Sequence, residues 1–296
     1  MRLFNLPKWL IPHLFSGKKF VDLTHDEVLQ LKEVLSRFSE PDPEISIVIP
    51  AWNEANNIFK TLSSLAATSS KSKIEIIVIN NNSTDETQLI LEKLAVKTFF
   101  EREQGTAHAR QLGLLKARGK FHLCADSDTF YPPGWIDLMT KPMRANKKSV
   151  GVYGRYSFVP STNIDAFILP LYEALTGLII RIRKKRREHI NFLGFNMGFV
   201  TAIGKDNGGF IVKDTRKFDN AKGSDYFVEE AEDGRMALNL KKSGVLKLVT
   251  DPQARVFTSS RRLIAEGGIL TALKSRLALH TIRLKEYFAG PSAESF

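Results

Sequence analysis

Phe121-His122-Leu123-Cys124-Ala125-Asp126-Ser127-Asp128 reads as a short buried strand that runs straight into two carboxylates. Residues two apart on an extended segment project to the same side. Asp126 and Asp128 can therefore share one hard cation. Mg²⁺ or Mn²⁺ held there would bridge the two phosphates of a nucleotide diphosphate and stabilise the charge that builds as it departs. A solvated turn is the competing reading, because aspartate favours turns.

The segments upstream give that strand its context. Pro41-Asp42-Pro43 breaks the chain before Ile45-Ser46-Ile47-Val48-Ile49, an apolar run suited to a buried strand. Ile58, Leu62 and Leu65 follow at helical spacing, then the β-branched run Ile74 to Ile79, then a helix opened by Thr84 or Asp85. A strand near Thr98 to Phe100 and a helix from Thr106 to Ala117 lead into Phe121 to Ala125. Strand and helix in strict alternation predict an α/β fold with a mostly parallel, Rossmann-like central sheet flanked by helices. Ligands of such sheets sit beyond the carboxyl ends of the strands. That rule selects Asn53 and Glu54, then Asn80 to Asp85, then Asp126 and Asp128, and predicts that they converge on one crevice.

Each cluster has a structural reading beside the functional one. In Pro50-Ala51-Trp52-Asn53-Glu54 the amide and carboxylate can meet a ligand's polar edge, or Asn53 can cap the next helix with Glu54 favourable to its dipole. Asn80-Asn81-Asn82-Ser83-Thr84-Asp85 suits both capping and the reading of a base or ribose. Gly105 offers flexibility before a helix whose Arg110 either reaches a phosphate or braces a carboxylate. Glu229-Glu230-Ala231-Glu232-Asp233 precedes a helix ending at Lys241 and Lys242, which suits the helix dipole, and one of its carboxylates could serve as general base on an acceptor hydroxyl. The second half, after Val150, is less regular, with glycine-rich pieces such as Leu193-Gly194-Phe195-Asn196-Met197-Gly198.

Composition narrows the partners. The 296 residues carry a formal charge of +11, which attracts anions of several kinds, yet the basic residues accompany no nucleic-acid recognition motif, so no nucleic-acid partner is expected. The densest basic run, Arg181 to Arg187, follows the mostly apolar Ile168 to Ile180. It reads either as a solvated helix face or as a contact with an anionic membrane surface. No segment approaches the roughly 20 apolar residues that span a bilayer. Met1 to Phe15, interrupted by Pro7 and Pro12 and followed by no small-residue cleavage site, is not expected to be a signal peptide. The lone Cys124 fits a reducing compartment, so the expected location is cytoplasmic, peripheral at the inner membrane face if the basic run binds lipid. Thr24-His25-Asp26-Glu27 has capping-box spacing ahead of Val28, Leu31, Leu35 and Phe38.

Taken in order, these motifs resemble glycosyltransferase family 2, enzymes with a GT-A-type nucleotide-sugar-binding fold. The likeness runs from about Ile45 to Arg262. Pro50 to Glu54 looks like the family's first-strand motif, Asn80 to Asp85 like its Ser-Thr-Asp segment, and Gly105 to Gly113 like its Gly-Ala-Arg-Asn-Gly helix with Gln111 in place of asparagine. Asp126-Ser127-Asp128 resembles the DXD metal motif, and Glu232-Asp233 the Glu-Asp motif whose aspartate is the usual base. The resemblance implies metal-dependent, inverting single displacement from a nucleotide-diphosphate sugar to a saccharide or lipid-linked acceptor, in cell-surface polysaccharide or glycolipid assembly. It assigns Asp233 and Glu232 to catalysis, Asp126 and Asp128 to Mn²⁺ or Mg²⁺, and Pro50, Ala51, Asn53, Glu54, Asn80, Asn81, Asp85, Gly105, Arg110, Asp126 and Ser127 to the donor. Asparagine at 80 and 81, where the family usually has aspartate, can accept from a uracil N3 hydrogen and favours UDP. Arg261-Arg262 lies where processive members carry Gln-x-x-Arg-Trp, whose absence argues against a processive synthase. The implied layout is an N-terminal helical appendage over 1–43, a GT-A unit over 44–262 with a nucleotide half to 130 and an acceptor half beyond, and a C-terminal helical segment over 263–296. A sugar nucleotidyltransferase and a nucleotide-sugar-binding protein without turnover are the alternatives.

Overall fold

The computed structural model of the chain describes residues 6–160, 162–185, 187–211, 232–265 and 267–282. Thr24 opens helix α1 (His25–Ser36): its hydroxyl accepts from the Glu27 amide while the Glu27 carboxylate accepts from the Thr24 amide, satisfying two orphan donors reciprocally. Leu31, Leu35 and Phe38 bury the apolar face and share one cluster with Ile45, Ile47 and Ile49 of strand β1 (Ile45–Ala51). The N-terminal segment is thus packed into the same core as the first strand.

Alternation follows through α2 (Ile58–Ala66), β2 (Ile74–Asn80), α3 (Thr87–Lys93), β3 (Lys97–Phe100), α4 (Thr106–Lys116) and β4 (Phe121–Cys124). β1 and β2 are buried at almost every position because helices cover both faces of a parallel sheet, which is why both read as unbroken apolar runs. β3, β2, β1 and β4 lie side by side in parallel, and the register pairs Ala51 with Asn80 and Val48 with Cys124. The polar residues that follow these three strands therefore emerge at one edge of the sheet.

Beyond β4 the pattern changes. β5 (Thr129–Phe130), α5 (Trp135–Ala145), β6 (Ser149–Tyr153), β7 (Tyr156–Val159) and the long α6 (Asn163–Arg183) precede β8 (Met197–Val200), which runs antiparallel between β4 and β6. After α7 (Thr201–Asp206) and α8 (Glu232–Lys241), β9 (Val245–Leu248) pairs in parallel with β6. Among the described residues the large sheet has seven strands in the order β3-β2-β1-β4-β8-β6-β9. The mostly parallel α/β sheet expected from the sequence is what forms, and reversed β8 accounts for the less regular second half. β10 (Val256–Ser259) joins β5 and β7 in a three-stranded sheet, followed by α9 (Arg261–Ala265) and α10 (Ile269–Ile282). Among the described residues no helix, α6 included, is long and apolar enough to cross a membrane.

Truncating a leucine in a shared core leaves a cavity that costs about 2–5 kcal/mol. Leu35→Ala is expected to lower the free energy of a single cooperative urea transition by that amount. An unchanged main transition, or a separate early one, would show that α1 folds apart from the sheet.

Candidate active site

Two asparagines fasten the ends of β1 and β2. Asn53 takes a left-handed conformation (φ 52°) that asparagine tolerates, and its Oδ1 accepts from the Thr84 amide at 2.8 Å and the Asp85 amide at 3.3 Å. It does not cap α2, as its position suggested it could, because its side chain is spent on the loop that follows β2. The Asp85 carboxylate accepts from the Ala55 amide at 3.1 Å and the Thr87 amide at 2.9 Å. Asn80 accepts from the Ser83 amide and donates to Gln88, while Asn81 accepts from the Gly105 amide at 2.8 Å and donates to the Glu103 carbonyl at 2.7 Å. Asn80 and Asn81 are both buried, and their amides hold the loops that follow β2 and β3. Pro50 and Ala51 stay in the strand, where the Ala51 carbonyl receives the Asn81 amide.

Asp126 and Asp128 stand at the end of β4, as the strand predicted. Their turn is pinned from three sides: the Thr61 hydroxyl donates to the Ser127 carbonyl at 2.8 Å, the Asp126 amide donates to the Tyr131 hydroxyl at 2.9 Å, and the Ser259 amide donates to the Asp128 carbonyl at 3.1 Å. Tyr131 in turn donates to the Phe195 carbonyl at 3.0 Å. Arg261 bridges Asp128 Oδ2 at 3.3 Å and Glu54 Oε1 at 2.5 Å. Burial, together with the Asp126 and Glu54 carboxylates, raises Asp128 to about 6, against the pull of Arg261 and Arg262.

Arg110 joins the two halves of the chain. Its buried guanidinium meets Asp126 Oδ1 at 2.8 Å and the Gly194 carbonyl at 3.0 Å, and its Nε lies 3.6 Å from both Glu232 and Asp233. The Gly194 amide donates to Asp233 Oδ2 at 2.7 Å. A Cβ at Gly194 would run into the Arg110 guanidinium, so only glycine permits this approach. Asp233 Oδ1 is buried without a hydrogen bond among the described residues. Burial first, then Glu232 and Asp126, push Asp233 up to about 7 despite Arg110 and the Gly194 amide. Of the two kinds of partner open to Arg110 in the sequence, carboxylates are the ones it meets within the chain. Glu229, Glu230 and Ala231 lie outside the described residues.

The site fits a divalent cation in a specific way. Among the described residues no group of three or more His, Cys, Asp or Glu encloses an ion. Asp126 and Asp128 each spend one oxygen on an arginine, which leaves Asp126 Oδ2 and Asp128 Oδ1 available. Mg²⁺ is commonly held by one or two carboxylates plus substrate phosphates, and the Asp126 and Glu54 carboxylates beside buried Asp128 leave negative charge that a cation would relieve. Tyr131 and Arg261 complete the site without a role having been assigned to them from sequence, and Gly194 joins them from a segment read only as bordering an acceptor. Tyr131 and Arg261 carry no local motif, and Gly194 was visible only as part of a glycine-rich piece.

Removing one partner from a buried ion network costs about 3–5 kcal/mol. Arg110→Ala is expected to destabilise the protein by that amount in urea denaturation, and Gly194→Ala to destabilise it in the same direction by displacing the guanidinium. A loss below about 1 kcal/mol for Arg110→Ala would mean that the carboxylates do not depend on it.

The model of glycosyl transferase family 2 matches residues 46–205. An uncharacterized glycosyltransferase of Rickettsia conorii is 31% identical over 133 residues, covering 44% of this chain and 20% of that protein. The glycosyltransferase GlyA of Streptococcus pneumoniae is 28% identical over 131 residues, 43% of this chain and 19% of its own length. The chain therefore spans about a fifth of the length of these curated relatives. Among solved structures, a mannosyltransferase from Pyrobaculum calidifontis in complex with GDP-Man and Mn²⁺ superimposes with a TM-score of 0.52 at 18% identity, over 84% of this chain and 67% of that one. S. aureus TarS 1–349 in complex with UDP-GlcNAc does so with a TM-score of 0.54 at 19% identity, over 73% and 58%. At that identity the two structures bear on the fold alone. The family model covers more than half of the 296 residues, including the ends of β1, β2 and β4, and the chain belongs to glycosyl transferase family 2.

Proposed function

We propose that the chain transfers a sugar from a nucleotide-diphosphate donor to an acceptor hydroxyl, with inversion and with Mn²⁺ or Mg²⁺ at Asp126 and Asp128. One observation carries the reading: Arg110 ties Asp126, at the donor end of the sheet, to Asp233, whose buried Oδ1 lies 3.6 Å from the Arg110 Nε and accepts no hydrogen bond among the described residues. A buried carboxylate oxygen left open beside a cation-ready aspartate is suited to receive a proton from a bound substrate.

In this mechanism the Gly194 amide fixes Asp233 Oδ2, and Oδ1 takes the acceptor proton. The acceptor oxygen then forms the new bond at the anomeric carbon as the bond to the diphosphate oxygen breaks, with no covalent enzyme intermediate. When bound, the cation would supply positive charge to the departing diphosphate. Arg110 keeps Asp126 in place, and Glu232, on its other side, adds negative charge that holds the Asp233 proton affinity high. The loops built by Asn53, Asn80, Asn81, Asp85 and Gly105 border the donor's nucleoside. UDP is proposed as the nucleotide from asparagine's chemistry, although the mannosyltransferase of like fold is a complex with GDP-Man.

A saccharide or lipid-linked acceptor is proposed, with contact at an anionic membrane surface. Phe167, Leu171, Leu175 and Leu178 leave an exposed apolar stripe along α6, which ends in Arg181 and Arg183. Flotation with anionic but not neutral liposomes supports the contact, and no flotation with either removes it.

Incubation with a panel of sugar nucleotides and Mn²⁺ should release free nucleoside diphosphate from one donor, with Asp128→Ala abolishing the metal dependence of donor binding. Pyrophosphate release would point to a nucleotidyltransferase, and binding without turnover to a carrier. Because Asp233 must be deprotonated to act, turnover is expected to fall about tenfold per pH unit below about 7. Asp233→Asn should lose about 10²- to 10⁴-fold in kcat with donor affinity retained. Full activity in that variant would remove Asp233 from the reaction.

A further inference from the structure

A cavity of about 200 Å³ lies between α6 and the N-terminal ends of β7 and β10. Three guanidiniums line it: Arg155 just ahead of β7, Arg181 in the last turn of α6 and Arg255 just ahead of β10. The one carboxylate in the lining, Glu173, is already engaged. Its Oε1 accepts from the Phe158 amide at 3.0 Å and its Oε2 from the Ser157 hydroxyl at 2.7 Å, with Arg255 at 3.6 Å. Among the described residues neither Arg155 nor Arg181 has a carboxylate in ion-pair range, and Arg155 Nε is buried without a hydrogen bond. Partial burial and then repulsion from Arg181 and Arg255 lower the proton affinity of Arg155. Like charges gathered around a hollow are unfavourable until an anion enters it.

Two further features suit a ligand. Gly177 lies on the α6 face that lines the cavity, glycine is a poor residue for a helix interior, and a Cβ there would meet nothing. The cavity is also joined to the carboxylate site through one short segment. Asn196 Nδ2 donates to the Arg155 carbonyl at 2.7 Å and faces the Ala254 carbonyl at 3.4 Å. Its neighbour Phe195 packs edge-on against Tyr156 of the cavity wall at 5.0 Å and accepts from Tyr131, while Gly194 holds Asp233.

We propose that this cavity binds a phosphate ester carried by the acceptor, with Arg155, Arg181 and Arg255 as its ligands. The assignment to the acceptor rests on the transferase reading above. Several guanidiniums around one hollow match a polydentate oxyanion, each donating through a planar fork. The ester can belong to a soluble phosphorylated alcohol or to a lipid phosphate, since the exposed apolar stripe runs along the same helix.

The test titrates sn-glycerol 3-phosphate into the full chain by calorimetry in the presence of saturating UDP and Mn²⁺, which fill the diphosphate site. Wild type is expected to bind one equivalent. Arg155→Gln and Arg181→Gln should each weaken binding at least tenfold, and Gly177→Leu, which fills the hollow and removes no charge, should do the same. UDP affinity should stay unchanged in all three variants. A parallel arm uses vesicles with and without phosphatidic acid: loss in the variants on vesicles alone identifies a lipid source, and loss on glycerol phosphate alone a soluble one. Undiminished binding in all three variants, displacement of UDP by glycerol phosphate, or no binding in either arm would overturn the proposal. If UDP and Mn²⁺ fail to bind wild type, the transferase reading fails, while the titration repeated without them still decides whether the cavity takes a phosphate.

Discussion

The contact on which the site depends is the buried guanidinium of Arg110. It lies on α4 and faces Asp126, just past β4, and both acidic residues that open α8. Three carboxylates in a poorly hydrated place repel one another, and each is costly to bury without a counter-charge. One cation shared among them, with the Gly194 carbonyl as a fourth acceptor, makes the arrangement tolerable. The same guanidinium brings the end of the parallel strands and the start of a late helix to one place. Glycine at 194 is the steric condition for that approach.

A second buried acid shows by contrast what sets the site apart. Glu75, at the opposite end of the sheet, has no exposed side-chain surface, yet Ser46, Lys97 and the Arg118 amide saturate its oxygens. Burial raises its proton affinity, but those partners outweigh it and the net shift is downward. Asp128 and Asp233 shift the other way, and Asp233 retains a buried oxygen without a hydrogen bond among the described residues. Saturated and stabilised, Glu75 is a clamp between strands. Asp128 and Asp233, by contrast, are held at elevated proton affinity.

The cavity beside α6 is organised by a different rule. Around the α6 cavity the excess charge is positive, and around the strand ends it is negative. The segment Gly194 to Asn196 borders both, and each of its residues makes a contact to one side or the other.

Much of this was legible in the sequence because the information is local. Apolar runs bounded by Pro, Asn and Asp gave β1, β2 and β4, the capping box gave α1, and the parallel-sheet rule placed the strand-end residues at one edge. Asp126 and Asp128 were readable because spacing along a single strand defines them. What local pattern could not decide was how the polar side chains are spent. Asn53, Asn80 and Asn81 fit a ligand or a turn equally well in sequence, and only the folded loops show their amides committed to neighbouring backbone. Tyr131, Arg261 and the pairing of Arg110 with Asp233 arise from contacts between segments distant along the chain. Sequence therefore determined the elements and the order of the carboxylates. Tertiary structure decided which charges meet, because a hydrogen bond's partner is fixed by packing in three dimensions and leaves no period in one.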